Sequence, residues 1–378
     1  MVSCTPCSIS RACQATGILF TLLRSVRPGF PSSGLDAHAC TSAATTLPAA
    51  SSARGVVVLG MGRSGTSSVT RMFHRSGYFV GAPADLMGPT DANPTGHFEN
   101  WRVCRANEEV LKRLDGSWFD APDDREQLQA ACELRGGLRD VLDELLRAAG
   151  SRPLVLKDPR IGVLMPLWRP LIEGILHPVL VLRDPVEIAR SLERRDQTPR
   201  PVALAMWELN LTRTLAHLDD QAVTIVRYRE IVQDPQLAPH IVREASAQLL
   251  SPMARVVRPE LAASALVPDL YRNRAEALAG TRWLTEFQRR LWCHLESLPA
   301  ASACLRSPTW TTEASRESRR LARSERHRQE PHQEMWARHT MSEIAPREAA
   351  CQARERASCA QRRELEEASS LATGLEAK

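Results

Sequence analysis

The residues best suited to chemistry form one run, Gly60-Met61-Gly62-Arg63-Ser64-Gly65-Thr66-Ser67-Ser68, directly after the β-branched stretch Val56-Val57-Val58. A strand, a glycine-rich turn and a following helix make an anion cradle. Successive backbone N–H groups point into one concavity, and the helix N-terminus adds about half a positive charge. Gly60 and Gly65 have the spacing of a Walker A loop, but Thr66 stands where its lysine belongs. That lysine reaches the β- and γ-phosphates of a nucleoside triphosphate, so the loop suits a phosphate-like anion and argues against ATP or GTP hydrolysis. A second candidate pair is Arg183, at the end of the apolar run Val179-Leu180-Val181-Leu182, and Ser191, just over two helical turns further on. Pro185 suits the first turn of the intervening helix. Guanidinium and hydroxyl can both donate to one further anion. Taken singly, Arg183 also reads as a strand-end surface arginine and Ser191 as an ordinary helix serine.

Together these stretches resemble the motifs of sulfotransferases that use 3'-phosphoadenosine 5'-phosphosulfate. In that family a loop of the form Pro-Lys/Arg-Ser-Gly-Thr-Ser/Thr cradles the 5'-phosphosulfate, and a strand followed by Arg-Asp/Asn-Pro-x5-Ser holds the 3'-phosphate. Here the first reads Gly62-Arg63-Ser64-Gly65-Thr66-Ser67, with Gly62 in place of the common proline, and the second matches at Arg183 and Ser191. The resemblance covers about residues 55–240. It implies that Gly62, Arg63, Ser64, Gly65, Thr66 and Ser67 bind the 5' end of the donor, and Arg183 and Ser191 the 3' end. The expected 5' ligands are the backbone N–H groups of residues 63–67 and the hydroxyls of Thr66 and Ser67. Arg63 either neutralises the phosphosulfate or points to solvent. Sulfuryl transfer, like phosphoryl transfer, mainly requires in-line positioning and stabilisation of charge on the leaving oxygen. It requires no metal, and the sequence signals none.

Leu154-Val155-Leu156-Lys157-Asp158-Pro159-Arg160 is another apolar strand ending in charge, at the edge where open α/β sheets bind ligands. The Lys-Asp-Pro segment is similar to that of tyrosylprotein sulfotransferases and of many bacterial sulfotransferases. In the former the lysine contacts the bridging oxygen, which implies that role for Lys157. The alternative is a surface cluster of Lys157, Asp158 and Arg160, and Asp158 is expected to orient Lys157 or Arg160. Asn93-Pro94-Thr95-Gly96-His97-Phe98-Glu99 resembles a stretch of bacterial family members and supplies two candidate bases for the acceptor. Glu99 ranks first, provided that partial burial raises its pKa; it can also cap a helix or join an ion pair. His97 is the rival, since a histidine is the base in the cytosolic small-molecule branch.

The elements that must position these residues follow from hydrophobic periodicity. Strands are expected at about 56–60, 153–157, 178–182 and 222–228, and helices at about 66–76, 100–114, 124–149 and 202–218. A further helix follows the 178–182 strand directly. Trp207 lies on an apolar stripe with Leu204, Leu211 and Leu215 and is expected in the core. Alternating strands and helices predict an α/β fold of the P-loop nucleotide-hydrolase type: three layers, with a central parallel sheet flanked by helices. Tyr228 to Pro235 resembles a mainly structural segment of the family. Near Tyr271 the glycine-rich loop that closes over the 3'-phosphate in other branches is missing.

The 378 residues divide into an extension over 1–54, expected to be disordered with a targeting segment as the alternative, a sulfotransferase domain over 55–300 and a charged tail over 301–378 that is helical or disordered. The net charge of +5 suits a polyanionic donor. No aromatic-interleaved basic array, zinc-finger spacing or helix-turn-helix pattern points to nucleic acid. Ten cysteines are scattered and lack paired zinc spacing, which fits free thiols in a reducing compartment. The apolar run Gly17–Leu23 is too short to span a bilayer. A cytoplasmic enzyme without a transmembrane segment is expected, its tail suited to self-association. Its acceptor is a hydroxyl-bearing carbohydrate, lipid, peptide or small molecule. A P-loop kinase or hydrolase and a non-catalytic nucleotide-binding scaffold are the competing readings; the first should carry a lysine at position 66.

Overall fold

The computed structural model of the chain describes residues 53–90, 93–118, 122, 124–268, 271, 281–299, 303–305 and 317–324. Contacts divide the chain into residues 1–47 and 48–378, and everything below belongs to the second unit. In chain order its elements are β1 (Gly55–Leu59), α1 (Thr66–Arg75), α2 (Trp101–Arg113), α3 (Asp124–Gln129), α4 (Ala131–Ala149), β2 (Leu154–Lys157), α5 (Pro159–Val163) and α6 (Met165–Ile172). There follow β3 (Leu176–Leu182), α7 (Pro185–Asp196), α8 (Arg200–His217), β4 (Ala222–Arg227), α9 (Tyr228–Gln233), α10 (Leu237–Ser246), α11 (Ser251–Ala254), α12 (Glu286–Ser297) and β5 (Ala303–Cys304).

The sheet order is β2-β1-β3-β4-β5, with the first four strands parallel and β5 antiparallel to β4. Side chains of a strand alternate between its two faces. In β1, Val57 and Leu59 enter one core while Val56 and Val58 enter the other; in β3, Leu180 and Leu182 divide in the same way from Val179 and Val181. Helices cover both faces. Leu138 and Leu142 of α4, Trp168 of α6, Leu192 of α7 and Trp207 of α8 pack on the first, and Val69, Met72 and Phe73 of α1 with Val242 of α10 on the second. Burial on both sides is why the strands read as continuous apolar runs rather than alternating ones. The fold is the expected three-layer α/β arrangement, and Trp207, 1% exposed, lies in the core.

Several boundaries differ from expectation. The 124–149 helix is two helices broken at Ala130. Residues 159–172, not assigned from periodicity, form α5 and α6: Asp158 caps the first, and Pro159 and Pro166 occupy first-turn positions. Tyr228 starts α9 instead of ending β4. The antiparallel β5 is two residues long, below the length at which a pattern can be read. Ala53 and Arg54, expected in the disordered extension, join the fold: Ala53 bridges to Leu249 and the Arg54 amide donates to the Ile175 carbonyl at 2.7 Å. The rest of that extension, to residue 52, and most of the tail on which self-association was expected (301–302, 306–316 and 325–378) lie outside the described residues. No helix among the described residues is long and apolar enough to cross a membrane.

Strand order sets the location of a site. The chain passes from β1 to β2 on one side and returns to β3 on the other, so direction reverses around β1. Open parallel sheets bind ligands in the crevice at such a reversal, beyond the strands' carboxyl ends. The loop after β1 therefore sits between the ends of β2 and β3, which carry Lys157 and Arg183.

Candidate functional site

The turn after β1 is shaped by backbone requirements. Gly60 has φ 140°, and a Cβ there would lie 2.8 Å from the Val181 carbonyl oxygen. Gly65 has φ 99° and caps α1; a Cβ there would lie 2.2 Å from the Tyr228 ring. Only glycine fits either position without strain. Gly62, by contrast, has room, its closest neighbour being Trp118 at 3.8 Å. Arg63 takes a left-handed conformation at φ 72°, uncommon for a residue with a side chain and concentrated at functional sites. One of the expected cradle amides is already engaged, since Ser64 N–H donates to the Met61 carbonyl at 3.1 Å and closes the turn. The Ser64 hydroxyl is buried with no hydrogen-bond partner.

Arg183 and Ser191 meet this turn. Arg183 Nη1 donates to the Arg63 carbonyl oxygen at 2.9 Å, and Arg63 Nε donates to Ser191 Oγ at 2.9 Å. The Arg63 side chain thus turns toward Ser191 instead of into solvent. The Arg183 guanidinium lies over the rings of Tyr228 and Tyr271, with its carbon 5.4 and 5.1 Å from their centroids. Its Nε donates to Glu187 at 3.0 Å, whereas Nη2 is buried and donates to no partner. Burial, with Arg195 and Arg183 close by, depresses the Arg63 guanidinium to about 10. Crowded, desolvated cations of this kind are stabilised by an anion.

Lys157 lies on the opposite side of the turn. β2 pairs with β1 so that Lys157 faces Val58, which puts its ammonium beside the start of α1. Nζ donates to Ser67 Oγ at 3.2 Å and to the His97 carbonyl at 3.3 Å, and forms an ion pair with Glu99. The expected alternative of a surface cluster fails on burial: Lys157 is 4%, Asp158 1% and Arg160 8% exposed. Asp158 accepts from the Arg160 backbone N–H at 2.7 Å, capping α5, and pairs with the Arg160 guanidinium at 3.1 Å. It therefore orients Arg160. Capping of α2 falls to Asn100, which accepts from Arg102 N–H at 2.9 Å, leaving Glu99 as the ion-pair partner. The His97 ring shares a hydrogen bond of 2.9 Å with the Thr90 hydroxyl, and burial lowers its pKa below the ordinary imidazole value.

Glu99, Cys104 and Asp158 bring three potential metal-ligating atoms within 4.8 Å of one another. Their charge is already matched, Glu99 by Lys157 and Asp158 by Arg160, and burial pushes the Cys104 thiol well above its usual pKa. A thiol held neutral is a poor metal ligand.

Gly62, Arg63, Gly65, Thr66, Ser67, His97, Glu99, Lys157, Arg183 and Ser191 line one open cleft of about 150 Å³; Ser64 lies behind it, 1% exposed. Asn93, Thr95, Arg195 and Tyr228 also face this cleft, though sequence reasoning did not single them out. Arg195 had a signal, since it follows Ser191 by one helical turn and so shares its face. Tyr228 had none, because its place depends on where β4 ends.

No protein-family model and no curated protein matches the chain. Among solved structures the chain is similar to the sulfotransferase domain from the Synechococcus PCC 7002 olefin synthase, at 15% identity over 74% of this chain and 96% of that one, with a TM-score of 0.36. It is also similar to the sulfotransferase domain from the curacin biosynthetic pathway, at 14% identity over 65% of this chain and 99% of that one, with a TM-score of 0.34.

Proposed function

We propose that this chain is a sulfotransferase that moves the sulfuryl group of 3'-phosphoadenosine 5'-phosphosulfate to a hydroxyl- or amine-bearing acceptor. The observation that carries the reading is the junction of the two sequence motifs. Arg183 and Ser191 both bond to Arg63 of the glycine turn, and a buried Arg183 Nη2 remains unpartnered at the junction. An unsatisfied buried guanidinium nitrogen is costly unless an anion completes it. The donor, when bound, supplies an activated sulfuryl group on a phosphate leaving group. Arg183 and Ser191 would hold its 3'-phosphate, and the α1 N-terminus with Thr66 and Ser67 its 5'-phosphate. Lys157, which bonds to Ser67 from the other side of the turn, would supply an ammonium to the negative charge that develops on the leaving oxygen. Glu99 and His97, both lining the cleft, are the candidate groups to take the acceptor's proton.

A nucleotide hydrolase would need a cation at position 66, and Thr66 supplies none. The test is a binding comparison of 3'-phosphoadenosine 5'-phosphosulfate, adenosine 3',5'-bisphosphate and ATP with the full chain. Tight binding of the first two and weak binding of ATP is expected; preference for ATP ends the reading. Binding of the donor with no transfer from labelled donor to any component of a metabolite extract would favour a non-catalytic scaffold.

A further inference from the structure

Behind Arg183 lies a buried polar group that no step above employs. Glu187, one helical turn N-terminal to Ser191 on α7, is fully buried, yet it is a carboxylate. Oε2 accepts from Arg183 Nε at 3.0 Å, Oε1 from Arg229 at 3.1 Å, and the Tyr271 hydroxyl lies 2.7 Å from both oxygens. The Tyr271 ring packs edge-on against Tyr228 at 5.6 Å, and Tyr228 in turn touches the space that Gly65 leaves open. The Glu187 carboxylate thus stands between the guanidiniums of Arg183 and Arg229.

Buried ion-pair clusters of this type contribute little stability compared with apolar packing of equal volume. This one does fix a geometry. With Nε on Glu187, Nη1 on the Arg63 carbonyl and aromatic rings at 5.1 and 5.4 Å, the guanidinium has no rotational freedom left, and its unpartnered Nη2 is held in place. Arg229, whose side chain is 42% exposed, balances the Glu187 charge so that the carboxylate does not cancel that of Arg183. Pre-ordering a donor lowers the entropy lost when the ligand arrives.

Building on the donor site proposed above, we infer that Glu187 is a positioning residue which, with Tyr271 and Arg229, sets the Arg183 guanidinium for a phosphate and so gives the site its selectivity for 3'-phosphorylated adenosine nucleotides. Glu187 does not touch the nucleotide. Its effect is confined to the increment in affinity that the 3'-phosphate adds.

The test measures dissociation constants of adenosine 3',5'-bisphosphate and adenosine 5'-monophosphate by calorimetry on the full chain, its Glu187→Gln variant and its Tyr271→Phe variant. The second variant retains the ring beneath Arg183 and removes only the hydroxyl, so it remains informative if Glu187→Gln fails to fold. The preference for the bisphosphate should fall about thirtyfold in Glu187→Gln, as for a broken buried charge pair. It should fall about fivefold in Tyr271→Phe, as for the loss of one hydroxyl that orders the carboxylate. Monophosphate affinity should change less than about twofold in both. An undiminished preference in the folded variants, or a parallel loss for both nucleotides, overturns the inference while leaving the donor site intact. A wild-type chain that binds the two nucleotides equally overturns the donor site itself, and the inference with it.

Discussion

The two sides of the glycine turn differ in how their charges are satisfied. On the β3 side, Arg63, Arg183 and Arg195 crowd together, and Arg183 keeps a buried nitrogen with no partner. On the β2 side, Lys157 is matched by Glu99 and Asp158 by Arg160. The first side is incomplete without an anion, which suits binding. The second is complete by itself, so for Lys157 to reach a leaving oxygen it must share its protons between Glu99, Ser67, the His97 carbonyl and the ligand. This contrast separates affinity from turnover: substitutions at the β3 side should act on binding, and those at the β2 side on rate.

The largest expected effect tests the β2 side. Lys157→Ala should lower turnover about a thousandfold, the scale of removing one donor from a developing oxyanion, with the bisphosphate dissociation constant changed less than about threefold. Because this variant leaves Glu99 buried without its ammonium, stability should also drop by about 3–5 kcal/mol, and rates must be referred to folded protein. An unchanged rate would remove Lys157 from the mechanism.

Next in size is the choice of base. Glu99→Gln should lower turnover about a hundredfold to a thousandfold, and His97→Asn by less than about tenfold. The reverse order would assign the base to His97. Since burial depresses the His97 imidazole, it stays neutral to below its ordinary value of 6.5. If His97 is the base, the acid limb of the rate profile should therefore lie under that pH and vanish in His97→Asn.

Arg183→Ala tests the β3 side. It should weaken adenosine 3',5'-bisphosphate binding by about 2–4 kcal/mol, as for a broken charge pair, while the rate at saturating donor changes far less. Equal affinity in wild type and variant would contradict the assignment. The smallest effect belongs to Ser191→Ala, about 1 kcal/mol of bisphosphate affinity for one hydroxyl, read by the same titration. A rate loss there with unchanged binding would erase the distinction between the two sides.

Much of this arrangement was legible in the residues. The glycine spacing at 60 and 65 reflects backbone requirements that act locally, positive φ and close approach of neighbouring atoms, and these leave a direct mark on residue type. The strand-ending charges at 157 and 183 were equally visible, because a buried parallel strand must be apolar until it reaches the edge. The caps at Asp158 and Asp184, by contrast, were not anticipated, although each bonds to backbone within three positions of it. The roles of Tyr228, Glu187 and Tyr271 left no such mark. A tyrosine at a strand-to-helix junction and a glutamate in a first helical turn are ordinary in sequence, and Tyr271 lies 84 positions from the carboxylate that it meets.

Sequence alone thus determined the four parallel strands and the helices that follow β1 and β3, the edge of the sheet where charge collects and the kind of anion that a lysine-free turn can accept. Tertiary structure decided which charges stay open and which are neutralised, because that depends on the strand order β2-β1-β3 placing Lys157 and Arg183 on opposite sides of a single turn. Local preferences act over a few residues and can be read along the chain. Contacts between polar side chains 58 to 128 positions apart arise only when buried strands are set side by side.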